Sequence, residues 1–236
     1  MDNQIRLNKF LAERLGVSRR EADDLIASGK VLVNEKPAVL GARIDKNDKV
    51  CYNNKIVAFQ NAFFYLAMNK PVGYVCSRRA QGDTPTLFEL LPKEYQKLKT
   101  VGRLDKDSSG LILLTNDGDF AFQMTHPKFH KEKTYEVELD RDLSPLHQQM
   151  ISDFGVNLED GKSQFTVIRA EDQPGRKHFT VILKEGRNRQ IRRTFQAVGY
   201  RVTKLHRTQF GPFVLNNLAP GKIEPISQEY ISRIKM

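Results

Sequence analysis

Asp105, Asp107, Ser109, Gly110 and Ile112 lie in the stretch VGRLDKDSSGLILLTNDGDF, residues 101–120, at the spacing D-x-D-x-S-G-x-I. Two chemistries use such a run. Alternating oxygens around a sharp glycine turn could hold a calcium ion, or a tight turn could present a single carboxylate to a substrate. A calcium loop needs oxygen ligands at positions 1, 3, 5, 7, 9 and 12, the last a bidentate Glu, with a helix on each side. Asp105, Asp107 and Ser109 fit the first three and Gly110 fits the turn. Position 12, however, is Asn116, and the segment where the exiting helix should begin is LILLT, a β-rich apolar run. The presented carboxylate is the better reading.

Such a carboxylate needs a turn that exposes it and a cation that keeps it ionised. Gly102 and Gly110 bracket Asp105, and Arg103 precedes it by two residues. More cations come from ILKEGRNRQIRRTF, where Arg187, Arg189, Arg192 and Arg193 are crowded together. On a helix Ile191 and Phe195 point inward, while Arg192 sits one residue round and can reach along the edge of the core. An Arg beside an Asp stabilises the anion, as a nucleophile requires. Phosphate contact is the competing use of each of these arginines.

The remaining polar residues have plainer readings. Asp107, Asp117, Asp119, Ser108 and Ser109 read as turn formers that bond nearby backbone amides. His126, His130, His178 and His206 show no metal-ligand spacing. Cys51 and Cys76 fit no paired metal spacing, and they read as small buried hydrophobes in preference to a disulfide. With no glycine-rich nucleotide fingerprint and no ligand cluster, neither a cofactor nor a metal is expected.

Several elements must position these groups. Leu7, Phe10, Leu11 and Leu15 form one apolar helical stripe, with Gly16 at its end. Ser18 and Glu21 make an S-x-x-E capping box for a second helix with Ala22, Leu25 and Ile26 inward and Gly29 as its stop. VLVNEKPAVLGARIDKNDKV then alternates short β-rich runs with turns, so residues 1–58 read as a helix pair leading into a small sheet. FQNA, residues 59–62, reads as a linker, and residues 63–236 as a larger unit. In it FFYLAMNKPVGYVCS is a strand broken by the Lys70–Gly73 turn, LILLT a buried strand, and TYEVEL an alternating strand with Tyr135, Val137 and Leu139 on one face. QFTVIRA and HFTVILKEG supply further strands. RNRQIRRTFQAVGY reads as a helix with Ile191, Phe195 and Val198 inward and Gly199 at its end. Strands with occasional helices give an α+β domain around a mixed, largely antiparallel sheet.

The 236 residues carry 38 Lys and Arg against 28 Asp and Glu, a net charge of +10 and a pI near 9.6, with a mean hydropathy of −0.51. The positive field would attract a polyanion. No apolar run approaches a membrane span, and the start MDNQIRLNKF lacks the apolar core of a secretory signal, so a cytoplasmic address is expected. Arg6, Lys9, Arg19, Arg20 and Lys30 group on the N-terminal helix pair.

RLNKFLAERLGVSRREADDLIASGKVLVNEKPAV resembles an S4 domain, a small α-L RNA-binding module, which implies RNA contact through those five residues. GRLDKDSSGLILLTNDGDF, KTYEVEL and EGRNRQIRRTFQAVGY, in this order, resemble the signature segments of RNA pseudouridine synthases of the RsuA family. MNKPVGYVCS and KLHRTQFGPFVLNNLAPG extend the likeness over nearly the whole chain. The resemblance implies isomerisation of uridine to pseudouridine in ribosomal RNA, bare or in an assembling particle, by a monomer without cofactor or metal. Asp105 would be the nucleophile, attacking the uracil ring or the ribose C1′. Arg103 would hold the nucleotide out of its stack, Tyr135 would lie on the target base, and Arg192 would pair with Asp105. Leu205 would form part of the apolar wall, and Lys133 and Arg189 would contact substrate. The resemblance leans toward the member acting on small-subunit RNA. A large-subunit enzyme and a non-catalytic S4-bearing ribosome assembly factor are the alternatives.

Overall fold

The computed structural model describes residues 4–59, 62–78 and 82–234; Gln60 and Asn61 of the expected linker lie outside them. Two compact units result, Met1–Phe64 with Asn116–Gly118, and Tyr65–Thr115 with Asp119–Met236.

The first unit contains β1 (Ile5–Arg6), α1 (Leu7–Leu15), α2 (Arg19–Ala27), β2 (Val31–Val33), β3 (Lys36–Pro37), β4 (Arg43–Ile44), β5 (Val50–Tyr52) and β6 (Lys55–Ile56). The first helix buries Leu7, Phe10 and Leu11 and stops at Gly16, whose φ of 73° suits a residue without Cβ. The capping box of the second helix forms as expected: Glu21 N donates to Ser18 Oγ at 3.1 Å and Ser18 N to Glu21 Oε2 at 2.6 Å. Strands pair in the order β3-β2-β5-β6, with Asn34-Glu35 and Asn53-Asn54 at positive φ in the two hairpin loops. Phe10, Leu11, Ala22, Ile26, Val31 and Val50 close the core.

The second unit runs β7 (Tyr65–Lys70), β8 (Lys99–Val101), β9 (Ser109–Thr115), α3 (Gly118–Thr125), β10 (Lys133–Leu139), α4 (Pro145–Gln149), β11 (Val156–Leu158), β12 (Gly161–Ser163), β13 (Thr166–Arg169), β14 (His178–Leu183), α5 (Gln190–Ala197), β15 (Val202–Phe210), β16 (Phe213–Val214), β17 (Ile223–Pro225) and α6 (Gln228–Ile234). Its main sheet has the order β13-β14-β10-β15-β9-β7-β17, with β16 beside β15 and β8 beside β9. All pairs between the named strands are antiparallel except β15 with β9, so the fold is α+β around a mixed, largely antiparallel sheet. β9 is buried on both faces: Ile112 and Leu114 meet Tyr135, Val137 and α5, while Leu111 and Leu113 meet Phe120 and Phe210. This explains its unbroken apolar run.

Helix α5 departs from the expectation at its start. It begins at Gln190, because Arg189 takes a left-handed φ of 46° as the N-cap, so Arg187 and Arg189 belong to the preceding loop.

The parallel contact is short: His206 pairs with Ser109 and Arg207 with Gly110. Gly110 has φ 105°, and a Cβ there would lie 2.2 Å from the Arg207 carbonyl oxygen and 2.5 Å from its nitrogen. Gly73 shares a positive φ of 92° but faces open space. Gly110→Ala should therefore lose about 3 kcal/mol or more, and Gly73→Ala about 1 to 2 kcal/mol, in urea unfolding. Equal losses would remove the close approach as the cause.

Candidate active site

β7 ends in a buried cation. Lys70 is 0% exposed, and its Nζ donates to the carbonyls of Ser108 at 2.7 Å, Pro71 at 2.9 Å and Asp105 at 3.1 Å. An ammonium has three donors, and here each finds a carbonyl. Burial pushes the Lys70 ammonium below its ordinary pKa, against the pull of Cys76, Asp105 and Asp107. Two of the three carbonyls belong to the turn that carries Asp105, which Ser108 N closes by donating to Asp105 O at 3.1 Å. The backbone of this turn is thus held from inside, and the Asp105 carboxylate is left half-exposed.

The arginine cluster splits in two. Arg189 Nη1 reaches Asp105 Oδ2 at 3.3 Å and Asp107 Oδ1 at 3.2 Å, and Arg189 Nη2 reaches Asp107 Oδ2 at 3.3 Å. Arg192, expected to pair with Asp105, instead places Nε 3.3 Å from Asp107 Oδ2 and donates through Nη2 to Asp107 O at 2.9 Å and through Nη1 to Val202 O at 2.8 Å. The αL cap swings Arg189 off the helix toward Asp105. Arg192, in the first turn of α5, is left beneath Asp107. Arg187 and Arg193 both bond Asp160 at the β11–β12 hairpin and so brace α5 away from the turn.

Asp107 is therefore more than a turn former. Burial raises its pKa, but the hydrogen bond from Arg189 and the charges of Arg192 and Arg189 outweigh this and hold it below the usual carboxylate value. The carboxylate strengthens the site above the ordinary Asp pKa, and this contribution is lost as pH falls through the lowered folded value. Ser109 also differs from expectation: its Oγ lies 2.8 Å from His206 Nδ1 across the parallel pair. Cys51 and Cys76 are free, and Cys76 Sγ donates to Leu104 O at 3.2 Å.

Beside the Asp105 turn opens a cavity of about 410 Å³, within the usual range for small-molecule sites. Arg103, Asp105, Lys133, Tyr135, Arg189 and Leu205 all line it, whereas Arg192 does not. Tyr135 and Leu205 are nearly buried in its floor, and Arg103 is exposed at its edge. Lys133 Nζ donates to Lys131 O at 3.0 Å and Glu185 O at 3.4 Å. Burial and the nearby Arg207 depress its pKa to about 8, against the pull of Glu185. Among the described residues no three His, Cys, Asp or Glu side chains converge as metal ligands. Likewise no described helix is long and apolar enough to cross a membrane.

A carboxylate on a braced turn, above an aromatic and aliphatic floor and among cations, suits attack on a flat, electron-poor ring carried by a polyanion. Residues 64–197 match the RNA pseudouridylate synthase family, and residues 5–50 match the S4 domain. The chain belongs to the RNA pseudouridine synthases.

Ribosomal small subunit pseudouridine synthase A of Salmonella typhimurium is 38% identical over 98% of this chain and 100% of its own. Ribosomal large subunit pseudouridine synthase B of Bacillus subtilis is 32% identical over 98% and 95%. A crystal structure of a pseudouridylate synthase matches with a TM-score of 0.69 at 31% identity, covering 98% of this chain and 99% of that one. The protein is accordingly an isomerase of the broad S4-bearing RsuA group.

In the S4 unit of this synthase, Arg6, Arg19, Arg20 and Lys30 are exposed and Lys9 is half-buried. Arg19 and Arg20 occupy the first turn of α2, where the helix dipole disfavours cations, so helix stability does not account for them.

Sequence reasoning missed Lys70, Asp107 as an arginine acceptor, and Arg207. A lysine closing the apolar run YLAMN, and an arginine two residues from Leu205 on the same strand face, were the available signals. Lys70→Met should leave three carbonyls short of a donor and cost about 3 kcal/mol or more, with faster amide exchange at Ser108. Unchanged exchange there would show that the turn holds itself. With lysines reductively methylated by a carbon-13 label, the resonance that vanishes in Lys133→Arg should titrate near pH 8, below the ordinary lysine value of about 10.4. Because the folded value lies below the unfolded one, stability from this group should rise between those two pH values.

Proposed function

We propose that this synthase isomerises a uridine of ribosomal RNA, in the small subunit, with Asp105 as the nucleophile and the target nucleotide flipped into the pocket. The observation that carries the reading is the Asp105 carboxylate, half-exposed on the cavity wall, on a turn clamped by Lys70 and 3.3 Å from Arg189. The reaction breaks the N1–C1′ bond, turns the base and joins C5 to C1′, with no net redox change and no group carried. A stacked base hides these atoms, so extrusion costs a few kcal/mol. Stacking on Tyr135 offsets about 1 to 3 kcal/mol of it.

Arg103, at the edge, holds the nucleotide out of its stack, Leu205 walls the base, and Lys133 and Arg189 contact the substrate. Arg192 acts through Asp107, so it is a positioning residue for the turn. Arg6, Lys9, Arg19, Arg20 and Lys30 grip the RNA through the S4 unit. The partner is ribosomal RNA, bare or in an assembling particle, and the enzyme works in the cytoplasm as a monomer. Similarity to the Salmonella enzyme supports the small subunit; similarity to the Bacillus enzyme supports the large-subunit alternative.

Tritium release from transcribed small-subunit RNA labelled at uridine C5 tests the reading. Wild type should release tritium, and Asp105→Asn should be slower by at least about a thousandfold while still binding RNA. Release only from large-subunit RNA would transfer the specificity. Release by the variant at the wild-type rate would remove Asp105 from the chemistry.

A further inference from the structure

Arg207 is 2% exposed, yet it lines the same cavity as Asp105. Its Nε donates to Leu111 O at 2.7 Å, and its guanidinium carbon lies 4.9 Å from the Phe210 ring centre and 6.0 Å from that of Tyr135. Its Nη2 is buried and has no hydrogen-bond partner among the described residues. Glu185, the acid near Lys133 on this side of the pocket, is engaged by Arg187 and Gln190. A buried N–H of a charged group left without a partner costs more than a neutral one in the same position. The fold nevertheless spends a strained glycine, Gly110, to bring the Arg207 backbone against β9.

We propose that Arg207 is a catalytic residue whose guanidinium, at the floor of the pocket, donates to a carbonyl oxygen of the target uracil and stabilises the negative charge that forms there. The assignment rests on the reading of Asp105 as nucleophile and holds for either point of attack. If Asp105 attacks the ring, an O–C6 bond forms and the C5=C6 electron pair moves onto O4 as an enolate. If it attacks the sugar, an O–C1′ bond forms, the N1–C1′ bond breaks, and its electron pair leaves with the base, spread over O2 and O4. On the ring route the N1–C1′ bond then breaks, C5 bonds C1′, and loss of the C5 proton expels Asp105 from C6; on the sugar route C5 displaces Asp105 from C1′ and then loses its proton. On both, N1 gains a proton and the Asp105 carboxylate is regenerated, so atoms and charge balance. A preorganised cation beneath that oxygen, shielded from water, favours the charged intermediate over the neutral ground state. Tyr135 faces Arg207 across the β10–β15 pair, so one strand register sets both the stacking ring and the donor.

The test is single-turnover tritium release with wild type, Arg207→Ala and Arg207→Lys, on RNA carrying uridine, 2-thiouridine or 4-thiouridine at the target. Arg207→Ala should slow release about a hundredfold with RNA binding retained, and free guanidinium should recover part of the loss. Sulfur accepts hydrogen bonds poorly. One thio-substitution should therefore slow wild type about tenfold, with the effect largely gone in Arg207→Lys. If Arg207→Ala fails to fold, the thio comparison between wild type and Arg207→Lys decides alone. A thio effect absent from wild type, or equal in both proteins, would overturn the proposal. No release from unmodified RNA by wild type would instead overturn the substrate reading on which it rests.

Discussion

A lysine ammonium removed from water must replace its hydration with protein oxygens, and in this synthase the oxygens available to Lys70 are the backbone carbonyls of Pro71, Asp105 and Ser108. The conformation of the 105–108 turn points two of them at the same nitrogen. The cost of leaving the cation unsatisfied thereby becomes the stiffness of the turn. Because backbone atoms are held, the Asp105 side chain remains available on the cavity side. A carboxylate partner for Lys70 would have satisfied the charge equally well and left the turn free to move.

The outward face of the turn is ordered by a different device. Asp107 accepts both Arg189 and Arg192, two cations whose mutual repulsion it offsets, and so ties the turn to α5. Arg192 also bonds Val202 O at the start of β15, while Arg187 and Arg193 fasten the other side of the helix to Asp160. The helix is therefore located from two directions before any substrate arrives. Exposed ion pairs contribute little individually; here the largely buried side chain is Arg192, with Asp107 outside it, so the pairing serves orientation more than overall stability.

The parts legible in the sequence were those set by local pattern. The α1 stripe, the Ser18–Glu21 capping box, the alternation of β10 and the doubly buried β9 each follow from spacing within a few residues. The Asp105 turn was legible because Gly102 and Gly110 mark it. Arg192's partner was not, because it depended on the backbone of one residue: the αL conformation of Arg189 shifts the helix start and hands Asp105 to Arg189. Lys70 and Arg207 were missed for a related reason. Most of their partners lie far along the chain: the β7–β9 pairing sets Lys70 opposite Gly110, beside the Asp105 turn, and β15, inserted between β10 and β9, brings Arg207 to Tyr135 and Leu111.

That same strand order grades the positive charge by depth. Arg103 and Arg189 are exposed at the pocket, where salt screens charges beyond about 8 to 10 Å, so their influence on a polyanion is felt mainly at contact and weakens as salt rises. Lys133 lies deeper, where desolvation already lowers its pKa to about 8, and Arg207 is deeper still. The charge at the pocket rim and the charge at its floor are different groups in different dielectric surroundings. Ionic strength can then loosen the grip on the phosphate backbone without weakening the field at the pocket floor. An enzyme that must release a long, highly charged product while stabilising one unit of developing charge needs that separation.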